Sequence, residues 1–209
     1  MKRPYVFINC AMSLDGKIAS PSGKQIRISC DKDIERMYNL RNESDAVLVG
    51  INTVLNDDPK LTVKEKYVKN PKNPARIVLD TNCKTPKDAL VVNSKAKTYI
   101  ITRTECKKTY GKNVEVIKCK TKNGSIDLKD FLEKIYEKGI KKLMVEGGSR
   151  VITSFISEKL VDDIYLYVGS KIIGGKNTPS LISDLKSIVD LKLIDIKKIG
   201  PGILLHYKI

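Results

Sequence analysis

The stretch that decides the fold is Leu143-Met144-Val145-Glu146-Gly147-Gly148-Ser149-Arg150. Apolar residues are followed by an acid and two glycines, a pattern typical of a strand that turns tightly into a helix. Backbone N–H groups at a helix start lack partners, and they bind a diphosphate closely where glycine leaves no Cβ in the way. A tight turn without a ligand is the alternative, and two glycines alone favour that alternative.

The acid in front of the glycines shifts the balance toward a binding site. Glu146 falls at the carboxyl end of the predicted strand, the edge at which ligands bind in α/β sheets. Burial at such a place can raise the pKa of a carboxyl until it exchanges protons with a substrate. Glu146 is therefore a candidate catalytic residue.

Further strands and helices surround this stretch. Apolar runs of strand length occur at residues 6–8, 46–49, 77–79, 99–101, 164–168 and 203–205. Helical periodicity predicts helices over residues 31–42 and 128–138 and a third just after Ser149, with Ser29 or Asp31 capping the first and Asp127 the second. The alternation predicts an α/β fold with a mostly parallel central sheet flanked by helices, and antiparallel strands near the C-terminus.

The composition is that of one globular domain. The chain has 209 residues, of which 41% are hydrophobic and 30% charged, so we expect a single domain over residues 1–209. No apolar stretch approaches the roughly 18 residues of a membrane span. The first residues are typical of a strand and not of a signal peptide, because Asn9 interrupts their apolar run.

The cysteine pattern argues against metal and disulfide chemistry. Five scattered cysteines and one histidine, His206, form neither a set of zinc ligands nor a Cys-x-x-Cys pair. We therefore expect no metal site and no disulfide framework, which fits a reducing, cytoplasmic location.

The strongly basic composition leaves two kinds of partner open. A formal charge of +15 would suit nucleic acid, since Lys and Arg neutralise its phosphates. The lysines are spread over the whole chain, however, and no nucleic-acid-binding motif occurs. A positive field attracts small anions equally well, such as a dinucleotide or a sugar phosphate, and we expect no nucleic-acid partner.

Two other segments are ambiguous when taken alone. Thr53 and Asp57 are four residues apart, on one face of a short predicted helical turn. They could contact a ligand or simply cap the helix and start a turn. Asp15-Gly16, after the first predicted strand, is a turn signal and nothing more.

Taken together and in order, these segments resemble the reductase family of riboflavin biosynthesis, whose fold is like that of dihydrofolate reductase. The resemblance covers almost the whole chain. It is carried by Ala-Met-Ser-Leu-Asp-Gly-Lys at 11–17, Thr-Val-Leu at 53–55, Asp-Asp-Pro at 57–59, Leu-Thr-Val at 61–63, Arg-Ile-Val-Leu-Asp at 76–80 and Glu-Gly-Gly at 146–148.

The resemblance implies an enzyme that uses a nicotinamide cofactor, NADPH with NADH as the alternative, to reduce the ribosyl carbon of a phosphorylated ribosylaminopyrimidine. The cofactor contacts that it implies are Ala11, Arg27, Thr53, Asp57, Thr81, Gly147, Gly148, Ser149 and Arg150. The implied substrate contacts are Asn9, Gln25, Arg41, Leu61, Lys64 and Glu146, with Arg41 and Lys64 as partners of the sugar phosphate. Glu146 is the candidate for proton chemistry, with Asp33 as a second catalytic candidate.

Two departures from the bacterial members narrow the expected reaction. Those members commonly carry a zinc deaminase domain ahead of the reductase, whereas this chain begins at the reductase strand, so it should only reduce. Asn9 occupies a position that is commonly lysine in them and asparagine in the archaeal and fungal type. That type reduces 2,5-diamino-6-ribosylamino-4(3H)-pyrimidinone 5′-phosphate before deamination.

The remaining expectations concern the adenosine end of the cofactor, the oligomeric state and two alternative functions. Arg103 is a candidate partner for the 2′-phosphate of NADPH. The family suggests a homodimer, in which the apolar strand at 164–168 could pair across a two-fold axis. A pterin reductase similar to dihydrofolate reductase and a basic nucleic-acid-binding module are the alternative functions.

Overall fold

The computed structural model describes residues 2–209 of the chain. Its strands are Tyr5–Ser13 (β1), Ala46–Gly50 (β2), Ala75–Leu79 (β3), Thr98–Thr102 (β4), Val114–Lys118 (β5), Thr121–Lys122 (β6), Ser125–Ile126 (β7), Lys142–Gly147 (β8), Asp163–Gly169 (β9), Lys192–Ile199 (β10) and Gly202–Lys208 (β11). Its α-helices are Asp31–Asn42 (α1), Ile51–Asp57 (α2), Leu128–Glu137 (α3) and Ser149–Ser157 (α4). A short 3₁₀-helix covers Leu90–Val92.

One nine-stranded sheet organises the molecule, in the order β10-β11-β9-β1-β8-β2-β3-β4-β5. The pairs from β9 to β5 are all parallel, and only β11 runs against its neighbours β9 and β10. The predicted mostly parallel sheet with antiparallel strands at the C-terminal end is confirmed. Strand β8, which carries Glu146, lies in the middle between β1 and β2.

The sheet separates two apolar cores. On one face, helices α3 and α4 bury Phe131, Leu132 and Phe155 against side chains such as Ile8 and Val145. On the other face, α2 and the inner side of α1 cover a second cluster that includes the alternate residues of the same strands. Central strands covered on both faces read as continuous apolar runs, which explains why their sequences lack alternation.

The helices match their predictions, but one cap does not. Asp127 caps α3 by accepting hydrogen bonds from the backbone N–H groups of Lys129 and Asp130. Helix α1 spans the predicted residues, yet its N-cap is Cys30, without a side-chain hydrogen bond. The prediction of Ser29 or Asp31 as that cap was wrong, because the Ser29 hydroxyl donates instead to the Asp33 carboxylate, at 2.5 Å.

A second correction concerns the proposed dimer strand. Residues 164–168 lie in β9, which is hydrogen-bonded to β1 on one side and to β11 on the other. This strand has no free edge, so it cannot pair with a second copy. The exposed edge at this end of the sheet is β10.

A third correction concerns the cysteines. Cys83, after β3, and Cys106, after β4, form a disulfide with their Cα atoms 5.6 Å apart, so the expectation of no disulfide was wrong for this pair. The adjacency of β3 and β4 brings them together, and linear spacing could not reveal it. Cys10, Cys30 and Cys119 are free thiols. The cytoplasmic location stays a prediction.

No helix within residues 2–209 is both long and apolar enough to cross a bilayer.

Candidate active site

The centre of the candidate site is an ion pair between helix α1 and strand β8. Arg41 donates from Nε to Oε1 of Glu146 at 2.5 Å and from Nη2 to Oε2 at 2.6 Å. Arg41 Nη1 also donates to the Thr62 carbonyl at 3.1 Å. The side chains of Arg41 and Glu146 are only 12% and 11% exposed. A two-pronged pair with little solvent contact fixes the orientation of both groups.

The local structure of β8 explains where Glu146 lies. Its register with β2 shifts at this point, since Val145 pairs with Leu48 but Gly147 pairs with Val49. Glu146 is therefore an extra residue without a partner in β2, an irregularity of the kind that redirects a side chain near active sites. On the other side, Ile8 of β1 pairs with Val145, so Asn9 and Glu146 follow a registered pair on neighbouring strands.

The charges of this pair depend on each other. Burial disfavours the charged guanidinium, but the Glu146 carboxylate outweighs burial and raises the pKa of Arg41. A guanidinium that donates two hydrogen bonds stabilises the ionised form of a carboxyl group. The arrangement therefore fixes both carboxyl oxygens of Glu146 against Arg41, where they can stabilise a positive charge in a bound molecule.

A cationic cluster lies next to the ion pair. The Arg41 guanidinium carbon is 5.3 Å from the centre of the Tyr38 ring, and Lys64 Nζ is 5.5 Å from the same centre. Tyr67 stacks on Tyr38 with ring centres 4.8 Å apart. The two cations expected to bind the sugar phosphate thus meet around one buried aromatic ring, which could hold an anion between them.

Leu61 lies in a strained part of the same region. It is 2% exposed and has a φ of 50°, in the left-handed region that L-residues other than glycine seldom adopt. Such strain clusters at functional sites, where the surrounding structure maintains it. The chain turns sharply here, between Asp58 at the end of α2 and the Thr62 carbonyl that accepts from Arg41.

The glycine turn meets helix α2 on the cofactor side of the site. Gly147 has a φ of 139°, which only glycine adopts readily. A Cβ placed on Gly148 would lie 3.4 Å from the Thr53 hydroxyl oxygen. Helix α4 begins at this turn without a side-chain cap. The starts of α2 and α4 therefore converge on a cradle. A side chain larger than that of glycine at position 148 would narrow this cradle, and a diphosphate needs the space next to the backbone N–H groups.

Asp57 and Gln25 come together at the far end of α2, although not through both side chains. Burial raises the pKa of Asp57, and a hydrogen bond from the Gln25 backbone N–H opposes that rise. The Gln25 side chain itself is exposed. The segment after β1 therefore crosses over α2, near the residue expected to contact the cofactor.

The other candidate residues lie around this centre without joining it. Asp33 is 2% exposed and is held by Ser29 and by Arg36 at 2.5 and 2.7 Å, not by Glu146. Arg27 is exposed and pairs with Asp31. The remaining candidates are Ala11 and Ser149, both half-buried, Arg150, which is exposed, and Thr81, half-buried just after β3.

Some contacts of the site were not predicted from the sequence. Asn9 Oδ1 and Asp80 Oδ1 are buried without a hydrogen-bond partner among residues 2–209. Asn9 lies midway along β1, and Asp80 directly follows β3. Tyr38 could have been found, because it is three residues before Arg41 on one helix face. The pairing of Arg41 with Glu146 could not, since they are 105 residues apart. An open cavity of about 670 Å³ includes Thr62 and Lys64 but not Glu146.

The fold agrees with that of known proteins. A family model described as the RibD C-terminal domain matches residues 4–205, which is nearly the whole chain. The chain belongs to the RibD C-terminal domain family.

Relatives within the RibD C-terminal domain family span similar lengths. A protein from Archaeoglobus fulgidus, named 2,5-diamino-6-ribosylamino-4(3H)-pyrimidinone 5′-phosphate reductase, is 41% identical, over 96% of this chain and 95% of its own. A protein of the same name from Methanothermobacter thermautotrophicus is 36% identical over 99% of both chains. The motifs at 11–17 and 146–148 therefore lie in a chain that is related over its full length.

Solved structures support the same family. The deaminase/reductase of Thermotoga maritima has a TM-score of 0.85 and 28% identity, and the match covers 99% of this chain but 56% of that one. The present chain thus spans little more than half of that protein. The riboflavin biosynthesis reductase Rib7 of Saccharomyces cerevisiae, with a TM-score of 0.77 and 22% identity, shows the shared fold.

Proposed function

We propose that this chain reduces 2,5-diamino-6-ribosylamino-4(3H)-pyrimidinone 5′-phosphate to its ribitylamino form in riboflavin biosynthesis, with NADPH as the reductant. The observation that carries the proposal is the buried ion pair of Arg41 and Glu146, 2.5 Å apart, directly before the glycine turn. The names of the two archaeal relatives point to the same reaction.

The residues present fit a nicotinamide dinucleotide. The diphosphate would lie in the cradle formed by Gly147, Gly148 and Thr53, where a Cβ on Gly148 would come within 3.4 Å of the Thr53 hydroxyl. When bound, the dinucleotide supplies the hydride that reduces the sugar carbon. Asp57 and Ala11 flank the cradle, on α2 and β1, and are further proposed contacts.

NADPH is preferred over NADH because of a cation beside the expected adenosine end. Arg103 donates its backbone N–H to the Thr81 carbonyl at 3.2 Å, and its Nη2 donates to Asn82 at 3.1 Å. Arg103 is thereby held next to Thr81, where a 2′-phosphate would gain a charged partner. NADH, which lacks this phosphate, is the alternative cofactor.

Asn9 and the cations around Tyr38 would recognise the two ends of the substrate. Arg41 and Lys64, about the Tyr38 ring, would bind the 5′-phosphate. Asn9 Oδ1 is buried without a partner, and a buried acceptor costs free energy until a donor reaches it. An amino group of the pyrimidine would provide that donor, whereas a carbonyl at the same place would repel the Asn9 oxygen.

Glu146 would act on the sugar. Opening of the ribosylamine ring breaks the bond between C1′ and the ring oxygen. The ring oxygen keeps the electron pair and takes up a proton from solvent to become a hydroxyl, and a positively charged imine is left at C1′. A carboxylate beside C1′ stabilises this charge, and Arg41 holds both oxygens of Glu146 in place through its two hydrogen bonds. Glu146 can also accept a proton at Oε1 or Oε2 from a sugar hydroxyl. Asp33 remains a second proposed proton carrier.

The proposal is tested by following dinucleotide absorbance with purified protein and each of two substrates. The diaminated ribosylaminopyrimidine phosphate should be reduced, with NADPH preferred to NADH. The deaminated counterpart should react more slowly, and an Asn9→Lys variant should reverse that preference. Preference of the wild-type chain for the deaminated compound would remove the role of Asn9. Turnover of dihydrofolate, with neither pyrimidine consumed, would replace the proposal by a pterin reductase.

We also propose that the protein acts as a homodimer joined through β10. Every residue of this strand except Ile199 is exposed, and its outer edge has no neighbour among residues 2–209. Leu193, Ile194 and Ile196 are 46%, 42% and 56% exposed. An apolar edge strand that lacks a partner favours pairing with a second copy.

A further inference from the structure

We propose that Asp15 is a positioning residue that fixes residues 14–28 and 171–183, here called the rim, beside the two helices of the cofactor site. The inference rests on the proposed dinucleotide-dependent reaction and deepens it. It gives a role to the Asp15-Gly16 turn, which neither the ion pair nor the glycine cradle explains.

The Asp15 carboxylate binds two successive backbone amides across the rim. Oδ1 accepts from the Ile173 N–H at 3.1 Å and Oδ2 from the Gly174 N–H at 2.7 Å. The Ser13 hydroxyl also donates to Oδ1 at 2.6 Å. Gly174 has a φ of 69°, so its amide is presented by a turn that favours glycine. One side chain after β1 thus anchors the turn after β9, 158 residues away.

Further hydrogen bonds join the two segments of the rim along their length. Leu14 N–H donates to the Lys171 carbonyl at 2.8 Å, Ile18 N–H to Pro179 at 2.9 Å, and Leu181 N–H to Gly16 at 3.0 Å. Lys17 Nζ reaches the Ser180 hydroxyl at 3.0 Å. The segments therefore move together only while their contacts hold, and Asp15 supplies two of these contacts, to the amides of Ile173 and Gly174.

The rim touches both helices that form the cofactor cradle. Ser183 contacts Thr153 of α4, since its backbone N–H donates to Thr153 Oγ1 at 2.9 Å. At the other end of the rim, the Gln25 backbone N–H lies close enough to the Asp57 carboxyl of α2 to oppose the rise in its pKa that burial causes. A shift of the Ile173–Gly174 turn would therefore be transmitted to α2 and α4, and small misplacements of bound groups cost large factors in rate.

Asp15 stays ionised throughout the useful pH range. The Ser13 hydroxyl, followed by the Gly174 and Ile173 amides, lowers the pKa of Asp15 to about 2. A lowered pKa means that the anchoring is present at higher pH and is lost only as the pH falls toward that value. The effect of removing the charge should consequently be the same at every pH from about 5 to 9.

The test compares Asp15→Asn with Asp45→Asn. Asp45 is a matched control because its Oδ2 also accepts from two successive amides, those of Lys141 and Lys142 at 2.8 and 2.9 Å, at the opposite, amino ends of the strands. In Asp15→Asn, an amide NH₂ faces a backbone N–H, so we expect faster hydrogen exchange at Ile173 and Gly174. We also expect KM for the dinucleotide to rise about tenfold or more, at all pH values, with KM for the pyrimidine phosphate within about twofold.

The possible results separate this inference from the proposed function. Dinucleotide oxidation by the wild-type protein is measured first, and its absence would contradict the proposed function and, with it, this inference. With an active wild type, unchanged dinucleotide KM in Asp15→Asn would overturn the positioning role alone, whether or not exchange at Ile173 increases. The same KM rise in Asp45→Asn would also overturn it, since that result would indicate a general loss of stability.

Discussion

Single side chains set the charge of the candidate site. The guanidinium of Arg41 binds both oxygens of Glu146, so the carboxyl group proposed to act on the sugar is held at a fixed angle. Removing one member of a buried pair leaves the other without compensation. The kinetics of variants at Arg41 or Glu146 therefore have to be compared with the stability of the same variants.

Glu146→Gln should lower kcat by about 100-fold or more, because the amide keeps the shape but cannot stabilise a cation or accept a proton. The control is Glu158→Gln, whose carboxylate pairs with Lys122 near the surface at 3.3 Å. Steady-state rates and thermal melting would be measured for both variants. A Glu146→Gln enzyme that is folded and reduces substrate at the wild-type rate would contradict the role given to Glu146.

Gly147→Ala should raise KM for the dinucleotide, since an alanine strained at a φ of 139° would displace the turn that holds the diphosphate. Gly139→Ala is the matched control, because Gly139 also has a positive φ and an added Cβ meets nothing within 4 Å at either position. Both variants should lose stability. Only the first should lose affinity in a fluorescence titration with NADPH, and equal losses in both would argue against the cradle.

The sequence indicated the residue types of the site better than their contacts. The acid and glycines of residues 146–148 were recognisable because a strand end, an acid and a helix start follow one another directly. The pairing of Glu146 with Arg41 was not foreseen, since nothing in the linear order indicates that the two side chains lie 2.5 Å apart. Asp15 was read only as a turn residue because its partners belong to a distant loop.

At the scale of secondary structure, a helix with strong apolar periodicity could be predicted from the sequence, whereas edge strands that contain charged residues could not. Helix α3 has its apolar residues on one face and an aspartate cap, and it was predicted within one residue. Strand β5, Val-Glu-Val-Ile-Lys, was missed because it lies at the sheet edge and alternates with charged residues. Strand β10 carries lysines on exposed faces, so its sequence resembles a loop.

The cap of α3 can be tested without disturbing the site. Asp127→Ala should lower the free energy of unfolding by about 1 kcal/mol, because two backbone N–H groups lose their acceptor. Lys129→Ala, which retains the cap, is the control. Urea unfolding would measure both, and kcat at 25 °C should be unchanged. An Asp127→Ala protein as stable as the control would show that water replaces the cap fully.

At the scale of the whole molecule, the sheet ends differently at its two sides. The β5 edge is half-buried, whereas β10 is exposed along nearly its whole length. Since β9 is internal, any pairing of sheets between two copies must use β10 at this end. The exposed residues there include Leu193, Ile194 and Ile196 beside the charged ones, and exposed apolar side chains on an unpaired edge favour association.

Ile196→Lys should therefore shift the protein from dimer to monomer in sedimentation velocity, because a buried lysine at a strand interface is costly. Ile188→Lys is the control, since Ile188 is 94% exposed but lies outside the strand. A wild-type protein that sediments as a monomer, or a dimer that survives Ile196→Lys, would contradict the role of β10.

Reduction of the ribosyl C1′ of the diaminated pyrimidine phosphate by a nicotinamide dinucleotide is the step on which the proposed function rests. The most direct measurement is ¹³C NMR of the product made from substrate labelled at C1′, with dinucleotide deuterated at C4. We predict that C1′ becomes a CHD carbon of a ribityl chain and that the amount of this product equals the amount of dinucleotide oxidised. An unchanged C1′ signal, or deuterium at any other carbon, would contradict it.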